Sequence, residues 1–214
     1  MFLAYKTDVN VQQNSSTTNY VVIGTSFLFF LLLQLGISSP ESLALRSFDT
    51  NLLSYGFVQA NWFQLLFNMF YLWLFGNTVC SVVGNVLYPA LYISLTIISG
   101  VVHLLFSGNP LIGASGAIYG IIGCYFFLFP MSRIKCTWTN PYSKESDFYF
   151  KAYLIIGLWF LVNILGAIFS KRSLVYIDQM GGFIAGVIIS WLMCKYRWIE
   201  PIKGEKNLFE ILGK

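Results

Sequence analysis

The fourth apolar segment of this chain begins with Gly113-Ala114-Ser115-Gly116-Ala117. A serine among small residues at the head of a transmembrane helix is the pattern expected of a nucleophile inside a membrane. Its hydroxyl needs a base to take its proton, and histidine is the side chain that fills this role most often. The 214 residues contain 1 histidine, and it lies upstream in another segment. The sequence therefore predicts either a membrane hydrolase with an unusual base or a protein that keeps the fold of such a hydrolase without its activity.

Composition assigns the chain to the integral membrane proteins. Apolar residues make up 57% of the sequence, charged residues 10%, and the mean hydropathy is +0.67, values outside the range of ordinary soluble domains. Windows of about 20 apolar residues, the length that crosses the hydrocarbon core, occur at 20–39, 58–77, 82–106, 113–130, 149–169 and 175–194. We expect helices, because lipid cannot satisfy exposed backbone groups and the alternating pattern of a barrel is absent.

The chain is predicted to have three parts. Residues 1–19 form a polar N-terminal segment without the features of a cleavable signal. Residues 20–194 form an all-α, six-helix membrane domain, in which the stretch 131–148 is a solvated connector. Residues 195–214 form a basic amphipathic tail, which we expect on the inner leaflet, with binding to a partner as the alternative.

The distribution of basic residues predicts that both termini are cytoplasmic. Of the 13 Lys and Arg residues, only Arg46, Lys171 and Arg172 fall in the segments that this orientation puts outside. The net charge of +4 then reflects topology and contact with anionic lipid, and we expect no nucleic-acid partner. The 4 cysteines lie within or on the cytoplasmic side of their helices without a CxxC spacing, so we expect no disulfide, no metal and no cofactor.

Polar side chains in three of the segments come to the same depth in this topology. They lie in the outer halves of the second, fourth and sixth segments: Gln59, Gln64 and Asn68, then Ser115, then Asp178 and Gln179. Polar groups in hydrocarbon face the bundle interior or a water-filled cavity, so one shared cavity is the natural interpretation. The alternative is that the amides only join helices, at about 0.6 to 2 kcal/mol each. Small-residue faces after Ser115 and Gln179 would let those two helices cross closely.

Residues 50–194 resemble the rhomboid intramembrane serine proteases. The stretch 59–69 is similar to the second-helix element of that family, and Phe75-Gly76-Asn77 follows it as in rhomboids. Residues 113–120 resemble the nucleophile motif, with Gly113 and Gly116 beside the serine and with Tyr119 at the position of the tyrosine that lies against the catalytic histidine. Residues 179–186 match the sixth-helix motif except at the first position. The resemblance implies a six-helix bundle with both termini inside.

This sequence departs from the family where the chemistry occurs. The resemblance implies that Ser115 is the nucleophile and that Gln179 occupies the position of the catalytic histidine. It also implies that Gln59 and Gln64 replace two further histidines, of which the second helps Asn68 to bind the oxyanion. Glutamine still forms hydrogen bonds but exchanges no proton near neutral pH. The pattern keeps a polar pocket and removes its acid–base function.

We therefore predict a rhomboid-like pseudoprotease that binds transmembrane segments of client proteins without cutting them. A first alternative is an active intramembrane protease that uses Ser115 with an atypical base. Asp178, Lys171 and His103 are candidates for that base, but Asp178 is expected to form a hydrogen bond at the outer boundary and His103 to lie at the membrane interface. A second alternative is a structural subunit of a membrane complex. The expected location is a bacterial inner membrane, and the sequence does not decide the oligomeric state.

Overall fold

The computed structural model describes residues 2–9, 15–107, 109–138, 146–169, 173–200, 202 and 204–213. The described chain is mostly helical, with one small sheet. The α-helices are α1 (Thr17–Gln34), α2 (Pro40–Leu43), α3 (Asn51–Ser54), α4 (Trp62–Tyr71), α5 (Asn77–Val83), α6 (Tyr88–Phe106), α7 (Ser115–Leu128), α8 (Ala152–Phe169), α9 (Ser173–Lys195) and α10 (Leu208–Ile211). The strands are β1 (Phe2–Thr7), β2 (Arg133–Trp138) and β3 (Ser146–Lys151).

Each of the six apolar windows contains a helix. Five helical segments are long and apolar enough to cross a membrane: Thr17–Gln34, Trp62–Val83, Tyr88–Phe106, Ala152–Phe169 and Tyr176–Lys195. The fourth window forms only the 14 residues of α7, which extend about 21 Å at 1.5 Å per residue, less than the roughly 30 Å of hydrocarbon. The chain is thus a multi-pass membrane protein with a short central helix, and the count of six crossings stays a prediction.

Glycines bring α7 and α9 into backbone contact. A Cβ added at Gly182 would overlap the carbonyl oxygen of Gly116, and one at Gly186 would overlap that of Gly120. The two helices run in the same direction, because both numbers rise together along the contact. Small-residue faces permit this close approach in membranes. The predicted glycine crossing is therefore present, and it fixes the start of α7 against α9.

The helix that contains α4 and α5 is interrupted by a π-helical turn at Leu72–Gly76. Beside this turn lies the buried amide of Asn19, whose Nδ2 donates to the Leu72 carbonyl at 2.9 Å and to Asn77 Oδ1 at 2.8 Å. The Asn19 Oδ1 accepts from the Tyr88 hydroxyl at 2.6 Å. One side chain of α1 thus joins the π turn, α5 and α6. A π turn interrupts the regular i→i−4 hydrogen bonds of a helix, and the Asn19 amide supplies a hydrogen bond to the Leu72 carbonyl there.

The connector at 131–148 differs from the prediction, because it enters an antiparallel sheet with the strand order β1-β2-β3. Ile134 and Cys136 of β2 are fully buried against the bundle. Asp8 extends this pairing after β1, since its carboxylate accepts from the Arg133 backbone N–H at 2.6 Å. The prediction of a solvated connector is wrong for β2, which pairs with the N-terminal strand in one layer at the end of α7 opposite Ser115. Residues 139–145 of the connector lie outside the described residues.

The C-terminal segment also folds back on this end of the bundle. Asn207 and Glu210 form a capping box that starts α10. The ring of Phe209 lies 5.6 Å from that of Phe127 and 6.0 Å from that of Trp191. The tail therefore contacts α7 and α9 directly. Strand β1 and helix α10 thus lie at one end of the bundle, and the side of the membrane that this end faces stays a prediction.

Candidate functional site

Gln64 connects the start of α4 to the loop that precedes Ser115. Asn61 caps α4, because its side chain accepts from the Gln64 backbone N–H at 2.9 Å. The Gln64 Oε1 accepts in return from the Ala60 N–H at 2.8 Å, and its Nε2 donates to the Ile112 carbonyl at 3.5 Å. The same Nε2 lies against Gly113, where φ is +130° and an added Cβ would overlap it. Only glycine fits this backbone and this contact.

Gln59 and Asn68 form a buried amide pair. Their side chains are 1% and 8% exposed, and Asn68 Nδ2 donates to Gln59 Oε1 at 2.7 Å. The Gln59 Nε2 has no partner among the described residues. The two amides at the positions of the family's oxyanion donors are thus both engaged: Gln64 holds the loop and Asn68 holds Gln59.

Ser115 is the first residue of α7 and is half-buried. The next residue, Gly116, lies against the Ser99 side chain, and an added Cβ there would be 3.5 Å from the Asp178 carbonyl oxygen. The start of α7 and the first turns of α9 are therefore neighbours. Gln179 is also half-buried. Where the structure describes the chain, no hydrogen bond joins Ser115 to Gln179, so their facing across a common pocket stays a prediction.

Tyr119 lies one helical turn after Ser115 and contacts a residue that the sequence analysis missed. Asn163 of α8 donates from Nδ2 to the Tyr119 hydroxyl at 3.0 Å. Both residues line a pocket of about 110 Å³ between α4, α7 and α8. A single asparagine in an apolar helix carries no spacing signal. Its position in the middle of a predicted span was the one available clue, because buried polar groups there are costly and often functional.

Two of the candidate bases, Asp178 and His103, are buried. Asp178 is 1% exposed and its Oδ1 has no partner among the described residues, and the predicted hydrogen bond of its carboxyl at the outer boundary stays a prediction. Burial is the main cause that raises the pKa of the Tyr55 phenol, and Asp178 nearby adds to it. His103 is 4% exposed, and its Nε2 donates to the Asn109 carbonyl at 3.0 Å; its location at the membrane interface stays a prediction.

The remaining predictions about the site concern two basic residues, metal ligands and the cysteines. Lys171 and Arg172 lie outside the described residues. Throughout the described ranges, no group of three or more His, Cys, Asp and Glu side chains could hold a metal ion. The four cysteines are free thiols.

These features define a multi-pass membrane protein whose short, well-packed helix α7 begins with a serine. The chain belongs to the rhomboid family: the Rhomboid domain model matches residues 49–196. The predicted membership is therefore confirmed, and the match includes all of the site residues described above.

Curated relatives carry rhomboid names. The chain is 27% identical over 146 residues to Rhomboid protein 1, mitochondrial, of Saccharomyces cerevisiae, with 65% of this chain and 40% of that protein covered. It is 29% identical over 137 residues to Rhomboid protease GluP of Bacillus subtilis, with 58% and 27% covered. It is 23% identical over 145 residues to Rhomboid protease GlpG of Haemophilus influenzae, with 68% and 70% covered. The match thus spans less than half of the first two relatives.

Proposed function

We propose that this protein is a rhomboid pseudoprotease, which binds transmembrane segments of client membrane proteins and does not cleave them. The observation that carries the proposal is the side chain at position 179, where an amide replaces the family's catalytic histidine. The chain's 1 histidine does not compensate, because the His103 ring is buried and bonded to the Asn109 carbonyl.

The expected loss of rate follows from the chemistry of peptide cleavage. A base must take the serine proton and later deliver a proton to the leaving amine. Gln179 does neither near neutral pH, since its amide neither gains nor loses a proton there. General acid–base catalysis contributes about 10² to 10⁴-fold, and groups that act as a unit lose more when one is removed. The rate left for Ser115 is that of an unactivated hydroxyl.

Client binding is supported by what the site retains. The amide contacts of Gln64, Asn68 and Gln59 hold the loop before Ser115 and the start of α4. These contacts order the loop before Ser115 and the start of α4 without any proton transfer. The protein is proposed to act in a bacterial inner membrane, and its partners are proposed to be transmembrane helices that approach sideways through lipid.

An active protease is the second candidate, and Asp178 is the observation that favours it. Asp178 is a buried carboxyl with an unpartnered oxygen next to the helix that begins with Ser115, and two relatives are named rhomboid proteases. If Asp178 is the base, Asp178→Asn abolishes activity as completely as Ser115→Ala does. A pseudoprotease shows no activity for either variant to remove.

The test uses the full chain in liposomes with a labelled transmembrane reporter. We expect the reporter to associate with the protein, measured by energy transfer between two dyes, and to remain intact on a gel after prolonged incubation. Association should be equal for the wild type and Ser115→Ala. Cleavage that disappears in Ser115→Ala would overturn the pseudoprotease. Absence of association with every reporter would instead favour a structural subunit, which co-purification of stable partner subunits would identify.

A further inference from the structure

A groove of about 330 Å³ lies between the start of α6 and the end of α9. The two helices run in opposite directions, because Gly181 near the other end of α9 lies against Val102 near the other end of α6. Apolar side chains form most of its wall, including Ala90, Leu91, Leu192 and Met193. Along α6 the groove extends from Leu87 to Ser94, about 10 Å at 1.5 Å per residue.

Two aromatic side chains border this α6–α9 groove where α9 ends. Tyr196 and Trp198 line it, are 61% and 66% exposed, and have ring centroids 6.4 Å apart. Tyrosine and tryptophan concentrate at the boundary between membrane and water, because each has an apolar ring and a polar O–H or N–H group. The groove therefore starts at the level of the lipid head groups and continues into the hydrocarbon between two spans.

Arg197, between these two aromatic residues in the chain, has an unusual backbone. The Trp198 N–H donates to the Met193 carbonyl at 2.8 Å and the Arg197 N–H to the Cys194 carbonyl at 3.1 Å, the pattern of a Schellman helix ending. The left-handed residue of this motif is usually glycine, since a Cβ is strained there. In the part of the chain that the structure describes, Arg197 is the one non-glycine residue with a positive φ, at 57°. Strain of this kind often marks a functional position.

Positive charge surrounds the opening of the groove. Lys195 and Arg197 are exposed, and the Lys195 ammonium group lies 4.9 Å from the ring centroid of Trp191. Neither cation forms an ion pair with a described residue. The nearest acidic residue along the chain is Glu200, which is also exposed, and the stretch 86–107 across the groove contains no Asp or Glu. The opening is suited to an anion.

The size of the groove fits a hydrocarbon chain. A water molecule takes about 30 Å³ in the liquid, so the groove holds about ten groups of that size, such as methylenes. A peptide helix is about 10 to 12 Å wide with its side chains and would need roughly twice this volume over the same length. Lipid tails are as apolar as the groove wall, so a preference among lipids must come from the head group.

We propose that the α6–α9 groove binds one anionic phospholipid, with an acyl chain between the two helices and the phosphate beside Arg197 and Lys195. The guanidinium group suits this role because its N–H donors match two phosphate oxygens at once. The bound lipid joins the ends of two spans at the membrane surface. This inference goes beyond client binding and does not depend on it.

The experiment measures quenching of Trp198 fluorescence by brominated phospholipids in liposomes that contain the full chain. Brominated phosphatidylglycerol, which is anionic, or brominated phosphatidylcholine, which is zwitterionic, replaces unbrominated phosphatidylcholine in increasing mole fraction. The signal of Trp198 is the difference between the wild type and Trp198→Phe. We expect half-maximal quenching at an about fivefold lower mole fraction of the anionic lipid, the effect of about one net positive charge at a membrane surface.

Three variants locate the effect. Arg197→Gly removes the guanidinium group and suits the positive φ, so the variant should fold and lose the preference for the anionic lipid. Lys206→Gln removes one exposed charge of the C-terminal segment and is the matched control, which should keep it. Ala90→Phe fills the groove and leaves both cations in place, and it should raise the mole fraction of anionic lipid needed for quenching.

Equal quenching of wild-type Trp198 by the two lipids would overturn the proposal. A preference that survives Arg197→Gly would overturn it as well, because the attraction would then belong to the whole surface. Quenching by neither lipid would show that protein, such as a second copy of the chain, covers the groove, and would also overturn it. Association with the transmembrane reporter is measured separately, so each of these outcomes leaves the proposed function standing.

Discussion

The two faces of α7 are packed in opposite ways. Towards α9, glycines let backbones touch, and an added Cβ at Gly123 or Gly186 would overlap a carbonyl oxygen of the other helix. Towards α8, the contact is made by Tyr119 and Asn163 across a pocket of about 110 Å³ with one oxygen left unpaired. The first face has no free space between the backbones, whereas the second leaves a pocket between side chains.

The largest expected effect comes from adding a methyl group between the closely packed helices α7 and α9. In Gly186→Ala, the new methyl group overlaps the Gly120 carbonyl, and backbone cannot move aside as a flexible side chain does. We expect a loss of about 1 to 3 kcal/mol or more, measured as a fall in the thermal unfolding midpoint in detergent. Gly157→Ala is the matched control, since nothing lies within 4 Å of a Cβ there. Equal unfolding midpoints for the two variants would contradict the close backbone packing between α7 and α9.

The glycine crossing could be predicted from the sequence because its spacing repeats along two helices. The facing of Ser115 and Gln179, which the motifs imply, stays a prediction. The sheet could not. Its first pair of strands joins residues 2–7 to residues 133–138, and such a distant pairing leaves no local pattern. The bond between Tyr119 and Asn163 was missed for the same reason, because it depends on how α7 and α8 pack.

The next prediction compares the loss of stability when each of two buried asparagines is replaced by leucine. Asn19 has partners on both ends of its amide, whereas Asn163 has partners only on its nitrogen. Asn19→Leu should therefore destabilise the fold by about 1 to 3 kcal/mol, the cost of orphaned polar groups. Asn163→Leu should change stability by less than about 1 kcal/mol, because it removes an unpaired oxygen while it frees the Tyr119 hydroxyl. Chemical unfolding in mixed micelles measures both, and the reverse order would contradict the contrast.

The smallest expected effect is the pH-dependent contribution of Glu205 to stability, at the end of the bundle away from both faces of α7. Burial raises the pKa of Glu205 above its usual 4.5, and the charge of Asp8 raises it further. A carboxyl with a raised pKa in the folded state is costly when ionised, so its contribution to stability is lost as the pH rises through that pKa. Glu205→Gln should raise the unfolding midpoint slightly at pH 7 and leave it unchanged at pH 4. Glu41→Gln, at an exposed position, is the control and should show no such difference.

The most direct test of the central claim restores the missing base. Glutamine and histidine are similar in size, so Gln179→His should fold and place its ring near Ser115 at the start of α7. We predict negligible labelling of the wild type by a fluorophosphonate probe, measurable labelling of Gln179→His, more labelling when Gln64→His is added, and none once Ser115→Ala is included. Labelling of the wild type that disappears in Ser115→Ala would contradict the account, since the serine would then already have a base.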